Sequence, residues 1–187
     1  MRWMIFCLML FLMACHKKHT HPHILIVTNY GDIEAELYED KAPQTVAAFI
    51  RNIQLSHYKN STFYRVLKDD DMPTDYNTGI IQGGVWPQLV TAASVPHEST
   101  QQTGLSHTSG TLSMARLAAG SASTEFFICV GDKTSLDFGK RGTKDSLGYA
   151  AFGKVVDGMD VVRKIHAQKS AGENFIKKIN ITDIKLN

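Results

Sequence analysis

Apolar residues along this chain recur with two different periods, and the changes of period mark its elements. Residues 1–15, M-R-W-M-I-F-C-L-M-L-F-L-M-A-C, form an almost unbroken apolar run. From Ile24 the pattern becomes two-fold. Ile24-Leu25-Ile26-Val27-Thr28 is rich in β-branched residues, and Asn29-Tyr30-Gly31-Asp32 supplies turn chemistry. Ile33, Ala35 and Leu37 then alternate with Glu34, Glu36 and Tyr38. Side chains of a strand point alternately to opposite faces, so this stretch predicts a hairpin with one buried face. Pro43 opens a stretch in which Val46, Phe49, Ile50 and Ile53 fall at helical spacing. A proline costs little in a first helical turn, where its missing N–H has no intrahelical partner anyway. A helix from Pro43 to about Ser56 follows.

Short strand-like runs come next, at Thr62–Leu67, Ile80–Gly83, Gly110–Ala115, Glu125–Val130 and Ala150–Val155, separated by glycine-rich turns. Met159, Val162 and Ile165 predict a second helix after Asp157-Gly158, and Ile179, Ile181 and Ile184 predict a closing strand. Many short strands and two helices make a mainly β protein, a closed antiparallel barrel capped by helices. No repeat is evident. Residues 68–79, K-D-D-D-M-P-T-D-Y-N-T-G, read as a polar, acidic loop without the spacing of a calcium loop.

The amino-terminal run is too short to span a bilayer, which takes about 20 residues. With Arg2 before it, it reads as a secretory signal. Its ending, Leu12-Met13-Ala14-Cys15, resembles a bacterial lipobox, in which the cysteine is acylated and the chain is cut just before it. An ordinary signal peptide or a plain anchor is the competing reading. The expected organisation is a lipoprotein signal at 1–14, a His/Lys-rich tether at 15–23 and one folded domain at 24–187. That places the protein on the periplasmic side of a bacterial envelope, held to a membrane through Cys15. The tether, H-K-K-H-T-H-P-H, reads either as a polar spacer or as a metal-binding tract built on His16, His19, His21 and His23. The 187 residues carry a formal net charge of +2 with no basic block, so a nucleic-acid partner is not expected. Of the three cysteines only Cys129 lies in the folded part, within Phe126-Phe127-Ile128-Cys129-Val130. It reads as core packing, which excludes a disulfide framework, and no C-x-x-C spacing suggests zinc.

Four motifs in order carry a resemblance. They are G-D-I-E-A-E-L-Y-E-D-K-A-P-Q-T-V-A-A-F from Gly31, F-Y-R-V at Phe63–Val66 with I-I-Q-G-G from Ile80, and S-G-T-L-S-M-A-R at Ser109–Arg116. The fourth is E-F-F-I at Glu125–Ile128, followed by S-L-D-F-G and G-Y-A-A-F-G-K-V-V-D-G-M-D-V-V. Together they resemble cyclophilins over about residues 25–187. The resemblance implies an eight-stranded barrel capped by two helices, with a substrate groove on its outer face. It implies a peptidyl-prolyl cis/trans isomerase that needs no cofactor or metal and acts as a monomer on proline-containing polypeptides. By motif, Arg65 matches the catalytic residue. Gln82, Ala115 and Arg116 match the parts that meet the substrate backbone. Ile80, Phe127 and Leu136 match the proline pocket, and Tyr149 falls at a substrate-binding position where animal members often carry His and some bacterial members Tyr.

The residue types suit that chemistry. A twisted X–Pro bond returns a lone pair to the prolyl nitrogen, and a permanently charged guanidinium is a strong donor to it. Each residue also has a plainer reading: Arg65 as a solvated surface cation, Phe127 as core, Gln82 as turn chemistry. Glu125 stands where the resemblance implies Gln. It would either tether Arg65 or favour basic substrates. Ser135 stands where an aromatic is usual, which implies weak cyclosporin binding. Gly79 stands where a pocket Phe is usual, with Tyr76 as a possible substitute. These departures leave one rival open, a non-catalytic proline-peptide binding module or chaperone on the same fold.

Overall fold

The computed structural model describes residues 20–69, 78–85 and 92–187. The signal run, Cys15, His16, His19 and residues 70–77 of the acidic loop, Tyr76 among them, lie outside the described residues. Nine strands form one sheet: β1 (His23–Thr28), β2 (Gly31–Leu37), β3 (Ser61–Lys68), β4 (Gly79–Gly84), β5 (Thr111–Met114), β6 (Phe126–Val130), β7 (Ala150–Asp157), β8 (Ser170–Ala171) and β9 (Asn174–Leu186). The order β1-β2-β7-β5-β6-β4-β3-β9 returns to β1 through a β1–β9 pairing, so eight strands close an antiparallel barrel. Among the described residues, the two-residue β8 lies outside the ring and pairs with β9 alone.

The alternation at 24–37 does what its period demands. Ile24, Ile26, Ile33, Ala35 and Leu37 are fully buried, while their neighbours face outward. The strand begins at His23, whose ring nitrogen lies 2.7 Å from Glu34, so His23 belongs to the barrel and not to the tether. His21 packs edge-on against Tyr38 at 5.5 Å. Among the described residues, no three His, Cys, Asp or Glu side chains are grouped as a metal would need.

Helix α1 (Pro43–Gln54) buries Val46 and Phe49. Phe49 meets Tyr58, Phe126 and Phe152 at centroid distances of 4.9, 5.4 and 4.9 Å, forming an aromatic plug in one barrel end. The helix has no cap of its own. Glu98, far along the chain, receives the Gln44 and Thr45 N–H groups at 3.2 and 2.8 Å, placing a carboxylate at the positive helix end. Helix α3 (Met159–His166) buries Val162 and Ile165 against the other part of the core. A third helix, α2 (Thr100–Thr103), is too short for periodicity to reveal. None of the described helices is long and apolar enough to cross a membrane.

Candidate active site

Three neighbouring strands carry the expected residues in one row. Arg65 on β3 pairs with Gln82 on β4, Gln82 with Phe127 on β6, and Phe127 with Ser113 on β5. A bulge between Phe63 and Arg65 inserts Tyr64 into the ladder. Phe63 stays fully buried in the core, while Tyr64 and Arg65 turn outward.

Alternation on β6 separates two apolar clusters. Phe126 and Ile128 belong to the barrel core. Phe127 and Cys129 belong to a smaller outer cluster with Ile80 and Ala115, flanked by Leu67, Leu136 and Tyr149. This outer cluster floors a groove of about 390 Å³, and Arg65, Gln82, Arg116, Leu117 and Glu125 add to its walls. Phe127 is 2% exposed, with Tyr149 edge-on at 5.2 Å and His107 stacked at 5.9 Å. Cys129 lies fully buried beneath the floor, and burial pushes its thiol up to about 12. Every predicted pocket residue is therefore in one place. Leu67 was not foreseen and supplies apolar lining to the groove. A Cβ on Gly79 would lie 1.8 Å from the Leu67 carbonyl oxygen, so the strand crossing admits only glycine there. Ser135 is exposed on a 3₁₀ turn, Thr134–Leu136, and takes no part in the lining.

Arg65 is held from two sides. Its Nη1 donates to Gln82 at 2.8 Å, and its Nε and Nη2 donate to Glu173 at 2.9 and 2.7 Å. Glu125 does not tether Arg65. Instead it accepts a short hydrogen bond from the Tyr64 hydroxyl, which in turn accepts from the Gln82 amide at 2.8 Å. Burial, reinforced by Glu125, raises the Tyr64 phenol well above its ordinary value. The result is a chain of contacts, Glu173–Arg65–Gln82–Tyr64–Glu125, along the groove.

The Arg116 guanidinium is almost fully buried and holds a neighbouring loop. It binds Asp145 through two bonds of 2.8 and 2.9 Å and the Gly148 carbonyl at 3.0 and 2.6 Å, and lies 5.4 Å over the Tyr149 ring. Those bonds hold Asp145 well below the usual carboxylate range. Arg116 thus fixes the 142–149 loop and, through it, Tyr149. Behind the floor, the fully buried His107 lies 2.6 Å from Asp137 and 3.0 Å from Ser113. Burial holds His107 below its ordinary value, against the pull of Asp137. Glu173, His107 and Asp137 were absent from the sequence reading. Nothing local ties Glu173 to a strand 108 positions away.

The family model described as cyclophilin-type peptidyl-prolyl cis-trans isomerase/CLD matches residues 23–186. This chain belongs to the cyclophilin family. Peptidyl-prolyl cis-trans isomerase B of Escherichia coli is 40% identical over 141 residues, covering 74% of this chain and 80% of that protein. A peptidyl-prolyl cis-trans isomerase of Acinetobacter baylyi is 38% identical over 143 residues, covering 74% and 68%. A crystal structure of a Cryptosporidium parvum cyclophilin, obtained in the presence of the dipeptide Ala-Pro, aligns with a TM-score of 0.70 at 25% identity. It covers 88% of this chain and 98% of that one. This cyclophilin is a peptidyl-prolyl cis/trans isomerase, and the eight-stranded barrel that its motifs imply is the one observed.

Proposed function

We propose that this cyclophilin is a lipid-anchored isomerase of exported polypeptides, with Arg65 as its catalytic residue and Phe127 as the floor of its proline site. The observation that carries the site assignment is the row Arg65–Gln82–Phe127, which sets an oriented guanidinium beside an apolar floor. The uncatalysed rotation has a barrier of about 18–20 kcal/mol. No nucleophile or proton transfer is needed. The enzyme must bind the twisted peptide better than either planar form. The prolyl ring lies on Phe127, Ile80 and Leu136, which exclude water. Gln82 and the backbone at Ala115 and Arg116 hold the chain on either side. As the bond twists, the prolyl nitrogen becomes basic and accepts from an Arg65 N–H. In this drier setting such a charged bond is stronger than in water. Glu125, just ahead of β6 and lining the same groove as Phe127, gives it an acidic end and favours substrates with a cationic residue near the proline.

A protease-coupled assay on an X–Pro peptide tests the site. Arg65→Ala should lower kcat/KM by about 100-fold or more, the loss typical of removing one transition-state donor. A variant as active as wild type ends the assignment. The lipobox-like ending at Cys15 supports the anchor. Labelled fatty acid should enter the wild type and not Cys15→Ser, with both recovered on the periplasmic side of the envelope. Label retained by Cys15→Ser would rule out that acylation site.

A further inference from the structure

A guanidinium has five N–H groups. Three of those on Arg65 are engaged, one by Gln82 and two by Glu173. Gln82 comes from the barrel wall. Glu173 comes from the turn between β8 and β9, where Gly172 takes a φ of +57° that lets the chain reverse. That turn is fastened to the arginine's own strand. The Val66 N–H donates to the Glu173 carbonyl at 2.8 Å, and Asn174 pairs with Arg65 in register. The barrel closes without β8, so closure does not account for this hairpin. What the hairpin does carry is an acid set against the side edge of the guanidinium.

We propose that Glu173 is a positioning residue for the isomerase reaction. It holds Arg65 by Nε and Nη2 so that the remaining N–H groups face the groove before substrate arrives. The proposal rests on the reading of Arg65 as the donor to the prolyl nitrogen. Arg65 is long and its side chain is one-third exposed, so without the acid it samples several rotamers. Orienting a catalytic group in advance lowers the cost of reaching the transition state. Glu173 also damps the guanidinium charge, but it is 59% exposed, and water screens that damping. The hydrogen-bond geometry does not depend on the charge, so an amide in the same place retains most of the effect.

The test uses the full-length protein and the variants E173A, E173Q, R65A and R65A/E173A. Steady-state isomerisation is read together with the nitrogen-15 spectrum of arginine Nε–H groups. E173A should lower kcat about fivefold with KM unchanged, because the apolar floor still binds substrate. It should also lose the slowly exchanging Arg65 Nε–H signal. E173Q should keep that signal and most of the rate. Adding E173A to R65A should leave the residual rate unchanged. A wild-type kcat in E173A, with R65A inactive, overturns the proposal while sparing the reading of Arg65. A fully active R65A overturns both. A further fall in the double variant shows that Glu173 acts through the fold, and this too overturns it.

Discussion

Phe126 and Phe127 are adjacent, both phenylalanine and both buried, yet their replacement by alanine should have opposite consequences. Phe126 faces inward and touches Phe49, Tyr58 and Phe63 at 5.4, 5.8 and 5.7 Å. Losing a core phenylalanine costs about 3–5 kcal/mol. The closed barrel cannot collapse around the hole, so the upper part of that range applies. In a domain of this size each kcal/mol shifts the unfolding midpoint by about 2–4 °C. Phe126→Ala should therefore melt about 10–20 °C lower while its folded fraction keeps near-normal kcat/KM. Phe127 faces outward over a groove that water can refill, so Phe127→Ala should cost nearer 3 kcal/mol. What it loses is the grip on the prolyl ring. That ring has three methylenes at about 0.8 kcal/mol each, together about 2.4 kcal/mol or about 50-fold in kcat/KM. Calorimetry and the protease-coupled assay, run on both variants below their midpoints, separate the two effects. Equal activity losses, or a greater loss in Phe126→Ala, would refute the assignment of the two faces.

Acid should weaken the fold through the pair behind the floor. His107 and His166 are both held below the ordinary histidine value by burial, so the unfolded chain binds their protons more readily. Their contribution is complete above about pH 6.5 and is lost as the pH falls below it. Burial pushes Asp137 up, but hydrogen bonds from Ser106 and His107 outweigh it and hold the group low. Its contribution is lost only below about pH 4. The unfolding midpoint should drop between pH 7 and 5, less steeply in His107→Gln; a midpoint that rises with acid would be inconsistent with this. Arg116→Lys removes the two-pronged hold on Asp145 and should raise KM severalfold with kcat little changed. Glu125→Gln should reduce the preference for peptides with Lys over Glu beside the proline by about 5- to 10-fold. A preference that stays constant would remove Glu125 from specificity.

Most of the barrel was legible because its strands obey period two and its helices start at recognisable signals. Asp157-Gly158 announced α3, and Pro43 announced α1. The site row was legible through motif order, since F-Y-R-V, I-I-Q-G-G and E-F-F-I occupy three neighbouring strands. Side-chain partners were not. Arg116 lines the groove as expected, but nothing local tied its guanidinium to Asp145, which is brought near only when the 142–149 loop folds. Tethering Arg65 was one of two roles open to Glu125, and its carboxylate instead accepts from Tyr64, the residue the bulge inserts. Glu98 at the end of α1 and Glu173 at Arg65 are contacts across 53 and 108 positions, which no local pattern encodes.

The pairing that closes the ring joins the first strand to the last, Ile24 opposite Leu186 and Ile26 opposite Ile184. The chain therefore cannot complete its barrel until nearly every residue is present. Non-local pairing of this kind makes folding slow. Removing the last dozen or so residues should leave an edge exposed on β1 and on β3, and with it a protein prone to aggregation. The same topology makes the closed barrel a report on one segment: every closed molecule has β9 in place.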